Sequence, residues 1–228
     1  MRWLVVLFAA CSPYDPQLPA QPFLCGSTEP KCPDGYTCVA SGTQLVCATT
    51  TPMDNIDGSI PPGNCAKPVT GMLASWDFTA APGSQQSTGP LTMATGLVAG
   101  PVSRSPALMP SDGTNSINAS NWPTSGSIDP ASYFTLTLTP PAGCAMDITS
   151  MALDIKSSGT GPTSAAIATS ADTFSHTSSA STTAPSTPTL TVSNQAGAVE
   201  IRIYGFAAQA ATGTMRIENQ LGVTGSLH

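Results

Sequence analysis

The sequence predicts an all-β chain: a two-sheet antiparallel sandwich of the jelly-roll kind over residues 66–228, preceded by a small disulfide-rich segment. Three observations carry this expectation. Charged residues make up only 9 % of the chain, while 20 Gly, 22 Pro and long runs of Ser and Thr fill much of the rest. Gly and Pro break helices, and Ser and Thr side chains compete for helical backbone bonds. From Met72 onward, short segments alternate apolar and polar residues with period two, as strands with one wet face do. Finally, Cys25, Cys32, Cys38 and Cys47 crowd into a stretch with almost no apolar residue to bury, so cross-links must hold it.

The strands follow in order. "MLASWDF" points Met72, Ala74, Trp76 and Phe78 one way and Ser75 and Asp77 the other. "YFTLTLT" turns Phe134, Leu136 and Leu138 inward. "SMALDIK" opposes Met151, Leu153 and Ile155 to Asp154 and Lys156, and Ile148 falls out of phase with them, which predicts a bulge at Thr149-Ser150. "AVEIRIYGF" sets Val199, Ile201 and Ile203 against Glu200, Arg202 and Tyr204, and "GTMRIEN" sets Met215 and Ile217 against Arg216 and Glu218. Weaker strands are expected near Leu97-Val98, Ile117, 165–169, 190–192 and 221–227. Eight to ten such strands, each with one apolar face, bury those faces by stacking as two sheets.

The first eleven residues, "MRWLVVLFAAC", carry one basic residue and then an apolar run from Trp3 to Ala10. That run is too short to span a bilayer as a helix, but it has the parts of a secretory signal. Phe8-Ala9-Ala10-Cys11 resembles the lipobox of bacterial lipoproteins, with Phe8 in place of the usual Leu. The resemblance implies cleavage before Cys11, acylation of its thiol and attachment to membrane lipid; Ser12 instead of Asp implies the outer membrane. On this reading residues 1–10 are a signal peptide, 11–22 a Pro-rich tether, 23–48 the disulfide-rich head, 49–65 a linker and 66–228 the sandwich. The Asp54, Asn55 and Asp57 group of the linker lacks EF-hand spacing.

Lipidation of Cys11 removes one of 7 cysteines. The remainder is an even set in a chain bound for an oxidising compartment. The head spacing lacks the close Cys pairs of structural zinc sites. Four cysteines allow three connectivities. The head, above all "CPDGYTC", resembles small EGF-like or knottin-like modules, and that resemblance implies Cys25 with Cys38 and Cys32 with Cys47. Residues 71–227, through "LASWDF", "NASNWP", "DIKSSGTGPTSAAIATSAD" and "EIRIYGFAAQAATGTMRIEN", resemble a β-sandwich module recurrent in exported bacterial proteins, from which Glu218-Asn219 and Cys144 depart. A Cys65–Cys144 bridge would tie the start of this domain to an internal turn.

Composition also bounds function. A net charge of −6 and the lack of clustered Lys and Arg exclude nucleic acid as a partner. The only histidines are His176 and His228. Asp172, Ser175, His176, Ser178 and Ser179 superficially supply the parts of a nucleophilic triad, but in a low-complexity stretch without a strained nucleophile turn. Asp147 and Asp154 read as outward, solvated acids. The sequence therefore predicts no enzyme and no cofactor, but an adhesion or recognition module whose partners are glycans or envelope proteins. The alternative is a carbohydrate-binding module using exposed Trp122 and Tyr204 as stacking platforms, with Tyr133 as a further available ring and Arg202 and Glu200 on the same wet face as Tyr204; Trp76 alternates with core residues and is expected to be buried. A weak structural calcium site is read at Asp77 and Glu218.

Overall fold

The computed structural model describes residues 36–41, 44–49, 65 and 67–228. Cys11, Cys25 and Cys32, and with them the lipidation and the two head pairings, lie outside the described residues. The chain divides into two compact units, Met1–Gly58 and Ser59–His228. In the first, β1 (Tyr36–Ser41) and β2 (Gln44–Thr49) form an antiparallel hairpin whose register sets Cys38 opposite Cys47.

The second unit is a sandwich. Its strands in chain order begin with β3 (Val69–Asp77), β4 (Pro82–Gly83), β5 (Ser87–Thr88), β6 (Thr92–Met93), β7 (Val98–Ala99), β8 (Val102–Arg104) and β9 (Met109–Pro110). Then follow β10 (Ser116–Ser120), β11 (Tyr133–Thr139), β12 (Met146–Ser157), β13 (Pro162–Thr169) and β14 (Ser178–Ala180). The last three are β15 (Thr189–Gln195), β16 (Val199–Ala208) and β17 (Met215–Leu227). One sheet runs β15-β12-β17-β10-β4, with β3 on the other half of β17, β6 on β3 and β9 on β10. The second runs β14-β13-β16-β11-β8-β5, with β7 on β11.

The longer strands β10 to β13 and β15 to β17 alternate between the two sheets along the chain, so each connection crosses the core and each apolar face meets one supplied by its sequence neighbours. Apart from the parallel β4–β10 contact, the pairings are antiparallel. Among the described residues the helical content is a single 3₁₀ turn, Ser170–Asp172, and no helix is long and apolar enough to cross a membrane.

The interior is filled by Trp76, Trp122, Phe78 and Phe134 with Leu73, Ile117, Leu136, Leu138, Ile155 and their neighbours. Each fully buried side chain of this size contributes roughly 1.5–3 kcal/mol. The alternation in β11 holds throughout, with Phe134, Leu136 and Leu138 buried. The expected bulge is present: the β12–β17 register shifts between Ile148 and Ser150, which lets both Ile148 and Met151 face the core.

One strand departs from its expected phase. Met72 is 53 % exposed and Leu73 is buried, because the β3–β17 register shifts where Ala74 faces Val223 and Met72 faces Thr224. Leu73 is the extra residue, and it takes the inward place assigned to Met72. The segments expected separately near Met215 and Leu221 form one strand, β17, irregular at Asn219, whose φ is +56°. Cys65 and Cys144 are disulfide-bonded with Cα atoms 4.4 Å apart. The next residue, Ala145, exchanges backbone hydrogen bonds with His228, so the bridge and the chain's last residue brace the same corner.

Candidate functional site

The outer face of the β3–β17–β12 sheet carries an open groove of about 650 Å³. Its floor follows from cross-strand register. Ala152 pairs with Gly222, Gly222 with Ser75 and Ser75 with Thr92, so four small residues lie in one row across four strands, the first three of them lining the groove. At the Gly222 position a Cβ atom would lie 3.0 Å from the Met72 terminal methyl, so the absent side chain is part of the groove's depth. Exposed Met72 lines one side.

Along the groove also lie Asp154, Asn219 and Gln220. The Asn219 amide donates to Asp154 Oδ2 at 2.9 Å, fixing both across β12 and β17, while Asp154 Oδ1 is buried and has no partner. Pro185 and Ser186 border it from the segment before β15, where Ser186 exchanges two backbone hydrogen bonds with Leu153 and extends the sheet edge. The groove is therefore lined by hydroxyls, amides and one carboxylate over small and thioether groups. Such a set can hydrogen-bond a neutral, polar chain laid across the strands. A further exposed methionine, Met93, pairs beside Ala74 on the short edge strand β6.

The expected stacking platforms are not at this surface. Trp122 is 2 % exposed: the chain after β10 folds back, its indole N–H donates to Ala119 O at 2.9 Å, and its ring meets Phe134 edge-on at 5.3 Å. Its polar neighbours suggested a wet loop, but a large apolar surface and one satisfied N–H favour the interior. Tyr204 is 3 % exposed although its phase on β16 is outward. It packs edge-on against Tyr133, and in register lies against the small Ala166 on β13. Burial pushes its hydroxyl pKa up, with hydrogen bonding to Arg202 opposing. Trp76 is buried as expected, its indole N–H donating to Gly100 O.

Arg202 does not stand free for a ligand either. Its guanidinium lies between the Tyr133 and Phe174 rings and forms a salt bridge to Glu200 at 2.8 Å, while Thr135 also donates to Glu200. Arg202, Glu200 and Thr135 thus form a cross-strand polar ladder.

Asp77 and Glu218 do not converge on a cation. Register sets Asp77 against Gln220, and Asp77 Oδ1 accepts hydrogen bonds from the backbone N–H and hydroxyl of Thr79. Glu218, 7 % exposed, is bound by Lys156 at 2.6 Å and by Arg216. Two cations already neutralise that carboxylate, which removes the charge a calcium ion would need. Among the described residues no group of three or more His, Cys, Asp or Glu side chains gathers as metal ligands.

Asp172 and His176 do meet. Asp172 Oδ2 accepts from the His176 backbone N–H at 3.0 Å and lies 2.7 Å from Nδ1. Ser175 Oγ approaches the same Nδ1 at 3.2 Å. A relay needs the hydroxyl on the nitrogen opposite the carboxylate, so this arrangement is a loop clamp and not a triad. Ser178 Oγ is turned to Thr189 O. Asp147 hydrogen-bonds the backbone of Asn194 and the hydroxyl of Ser226.

Sequence reasoning missed Arg104. Its guanidinium, half withdrawn from water, donates to the carbonyls of Gly83, Ser84, Gln85 and Asn118 and staples the 83–85 segment to β10. A lone Arg in "PVSRSP" carries no local signal of that role. No protein-family model, curated protein or solved structure matches the chain.

Proposed function

We propose that the chain is a non-enzymatic recognition module of the bacterial cell envelope: an exported lipoprotein, acylated at Cys11 and attached to the outer membrane, whose sandwich unit binds a partner through the groove on β3, β17 and β12. The observation that carries the reading is the groove itself, where a row of small residues meets a rim of fixed amide, hydroxyl and carboxylate groups. The lipobox-like Phe8-Ala9-Ala10-Cys11 and the even number of remaining cysteines support export and anchoring.

A carbohydrate-binding module remains the second reading, and the groove lining favours it over a charged partner. Asp154, Asn219, Gln220 and Ser75 supply donors and acceptors suited to sugar hydroxyls, and the apolar contact falls to Met72 and Pro185 in place of an aromatic platform. Affinity from such a surface is low, since no large flat ring lines it.

Two measurements test the proposal. Metabolic labelling of cells with a palmitate analogue should mark the wild-type chain and not Cys11→Ser; equal absence of label from both removes the anchor. A glycan array probed with the full chain and with Gly222→Val should show retention that the variant loses. Retention by neither protein removes the carbohydrate reading and leaves recognition of an envelope protein, read by cross-linking from groove positions in intact cells. Cross-links that Gly222→Val leaves unchanged would remove the groove from the proposal.

A further inference from the structure

Three large aliphatic side chains of the sandwich face water within one short stretch: Leu91 is 60 % exposed, Met93 50 % and Val98 64 %. We propose that they form a membrane-docking tip, which dips into the surface of the lipid bilayer to which the chain is tethered. The inference rests on the lipid anchor of the proposed function and adds a second contact with the same membrane.

The tip is built on a fixed frame. Leu91 N–H donates to Ser75 O and Ala94 N–H to Leu73 O, which seats β6 on the edge of β3. A turn closed by Leu97 N–H on Ala94 O, with Gly96 at φ +82°, then carries the chain to the other sheet, where Val98 pairs with Thr139. Leu97 is buried and plugs this crossing. Ala99 N–H donates to Met93 Sδ at 3.4 Å, so Met93 lies beside the strand that carries Val98. Side chains presented on such a frame lose little backbone freedom on docking.

Charge, size and position decide what covers the tip. No Asp, Glu, Lys or Arg occurs between Asp77 and Arg104, and the cross-strand neighbours Ala74, Ser75, Leu138 and Thr139 are neutral. Asp147 lies on β12, with β17 between it and β3. In a chain of net charge −6, an anionic bilayer is met here without a carboxylate. Three side chains are far fewer than the roughly 20–30 residues a side of a stable protein interface, so a second copy would be held poorly. They suffice for a surface that is already tethered, because an anchor keeps the local concentration of membrane high and a modest apolar burial then holds the domain down. Position agrees with this. A Cβ at Gly96 would lie 3.2 Å from the Pro141 side chain, Pro141 O accepts from Cys144 N–H, and Cys144 is bonded to Cys65, where the chain leading from Cys11 enters the sandwich. Tip and tether thus share one end of the domain. Exposed Lys67, two residues after Cys65, has the sign that lipid phosphates attract.

The test uses the full chain, labelled with nitrogen-15 and carrying Cys11→Ser so that no acyl group contributes. Vesicles of phosphatidylethanolamine and phosphatidylglycerol, doped with a lipid bearing a nitroxide on its acyl chain, are added and amide relaxation is followed, which registers contacts made by a small fraction of the molecules. Enhanced relaxation is expected at Leu91, Met93 and Val98 and not at Ala152 and Asp154, and it should persist in molar salt, since salt screens charges and not apolar burial. Leu91→Ser, Met93→Ser and Val98→Ser combined should lower the enhancement at least about tenfold, the urea midpoint showing that the fold is kept. Leu91→Trp alone should strengthen it, because Trp suits the membrane interface. No enhancement in the parent chain, enhancement spread evenly or centred elsewhere, enhancement abolished by salt, or no response to either variant would each overturn the tip. Concentration-dependent broadening of the same amides without vesicles would assign the surface to a second copy and overturn it as well. No step here depends on acylation: a failed palmitate label removes the anchor and leaves the vesicle result legible, while vesicle contact missing from a chain that does take up palmitate removes the tip alone.

Discussion

The guanidinium carbon of Arg202 lies 4.0 Å from the centre of the Phe174 ring. Phe174 reaches that place through two successive left-handed residues, Thr173 at φ +59° and Phe174 at +60°. Such conformations are unfavourable for non-glycine residues and worst for a β-branched one. The Asp172–His176 clamp spans the turn and holds it, and on the other side of the guanidinium Tyr133 stacks at 4.2 Å. The ladder on β11 and β16 is thus covered by a loop that its own cation attracts.

Removing either partner should be felt as stability. Phe174→Leu is expected to cost about 0.5–1 kcal/mol, the worth of a half-exposed cation–π contact. Arg202→Met is expected to cost more, about 1–3 kcal/mol, because Glu200 keeps a partly buried charge without its counter-ion. Arg202→Lys should fall between them, since an ammonium keeps the charge but not the planar stack. Urea unfolding of the four proteins gives the order; Phe174→Leu more destabilised than Arg202→Met would contradict it.

One error of phase and one of burial show where sequence stops speaking for this fold. In β11 the inward residues Phe134, Leu136 and Leu138, and in β12 Ile148, Met151, Leu153 and Ile155 with the bulge between them, are legible, since the alternation is interrupted only where the strand's own residues say so; Met146, buried at the start of β12, lies outside the alternating stretch. In β3 the apolar run Met72, Leu73, Ala74 hides which residue is extra, and the answer lies in Val223 and Thr224, some 150 residues away. Tyr204 is phased outward and is still buried, packed edge-on against Tyr133 with Arg202 beside it. The groove was illegible for the same reason: Ala152, Gly222, Ser75 and Thr92 become neighbours only through three pairings between separate strands.

The Cys65–Cys144 bridge closes a loop of 79 residues. In the chain-entropy account a loop of that length stabilises by up to about 4–5 kcal/mol. Replacing both cysteines by Ala should lower the urea midpoint and steepen the slope, because the unfolded chain is released from its closed loop and exposes more surface. Hydrogen exchange should localise the loss: the amides of Ala145 and His228, which bond each other's carbonyls, should exchange early in the variant. Unchanged protection there would show that β12 and β17 hold the corner unaided.

Acid should weaken the fold through three carboxylates. Burial pushes Glu218 and Glu200 up, but hydrogen bonds from Lys156 and Arg216 to the first, and from Arg202 and Thr135 to the second, prevail and leave both below the ordinary value; Asp172 behaves alike. A carboxylate depressed in the folded state stabilises fully above its unfolded pKa, about 4.3 for Glu and 3.9 for Asp, and that stabilisation is lost as pH falls through the folded value. Unfolding free energy should therefore change little from pH 7 to about pH 5 and decline below about pH 4.5. Glu218→Gln should be less stable at neutral pH and show a shallower acid decline. An equally steep decline in that variant would assign the acid sensitivity elsewhere.

Gly222 offers the sharpest separation of folding from recognition. Its backbone lies outside the left-handed region, and the atoms a new Cβ would press, 3.0–3.1 Å away, are the methyl and sulfur at the flexible end of Met72. Since Met72 is exposed and unbranched, it can swing toward solvent. A valine there also suits a strand better than glycine does. Gly222→Val should accordingly fold with stability within about 1 kcal/mol of wild type while raising the floor between Ala152 and Ser75. Whatever partner lies across β12, β17 and β3 should then be displaced. In contrast, Met72→Ala leaves the floor open and removes one wall, so it should weaken the same partner only severalfold. Binding that survives Gly222→Val but fails in Met72→Ala would move the contact surface off the small-residue row and onto the exposed methionines Met72 and Met93.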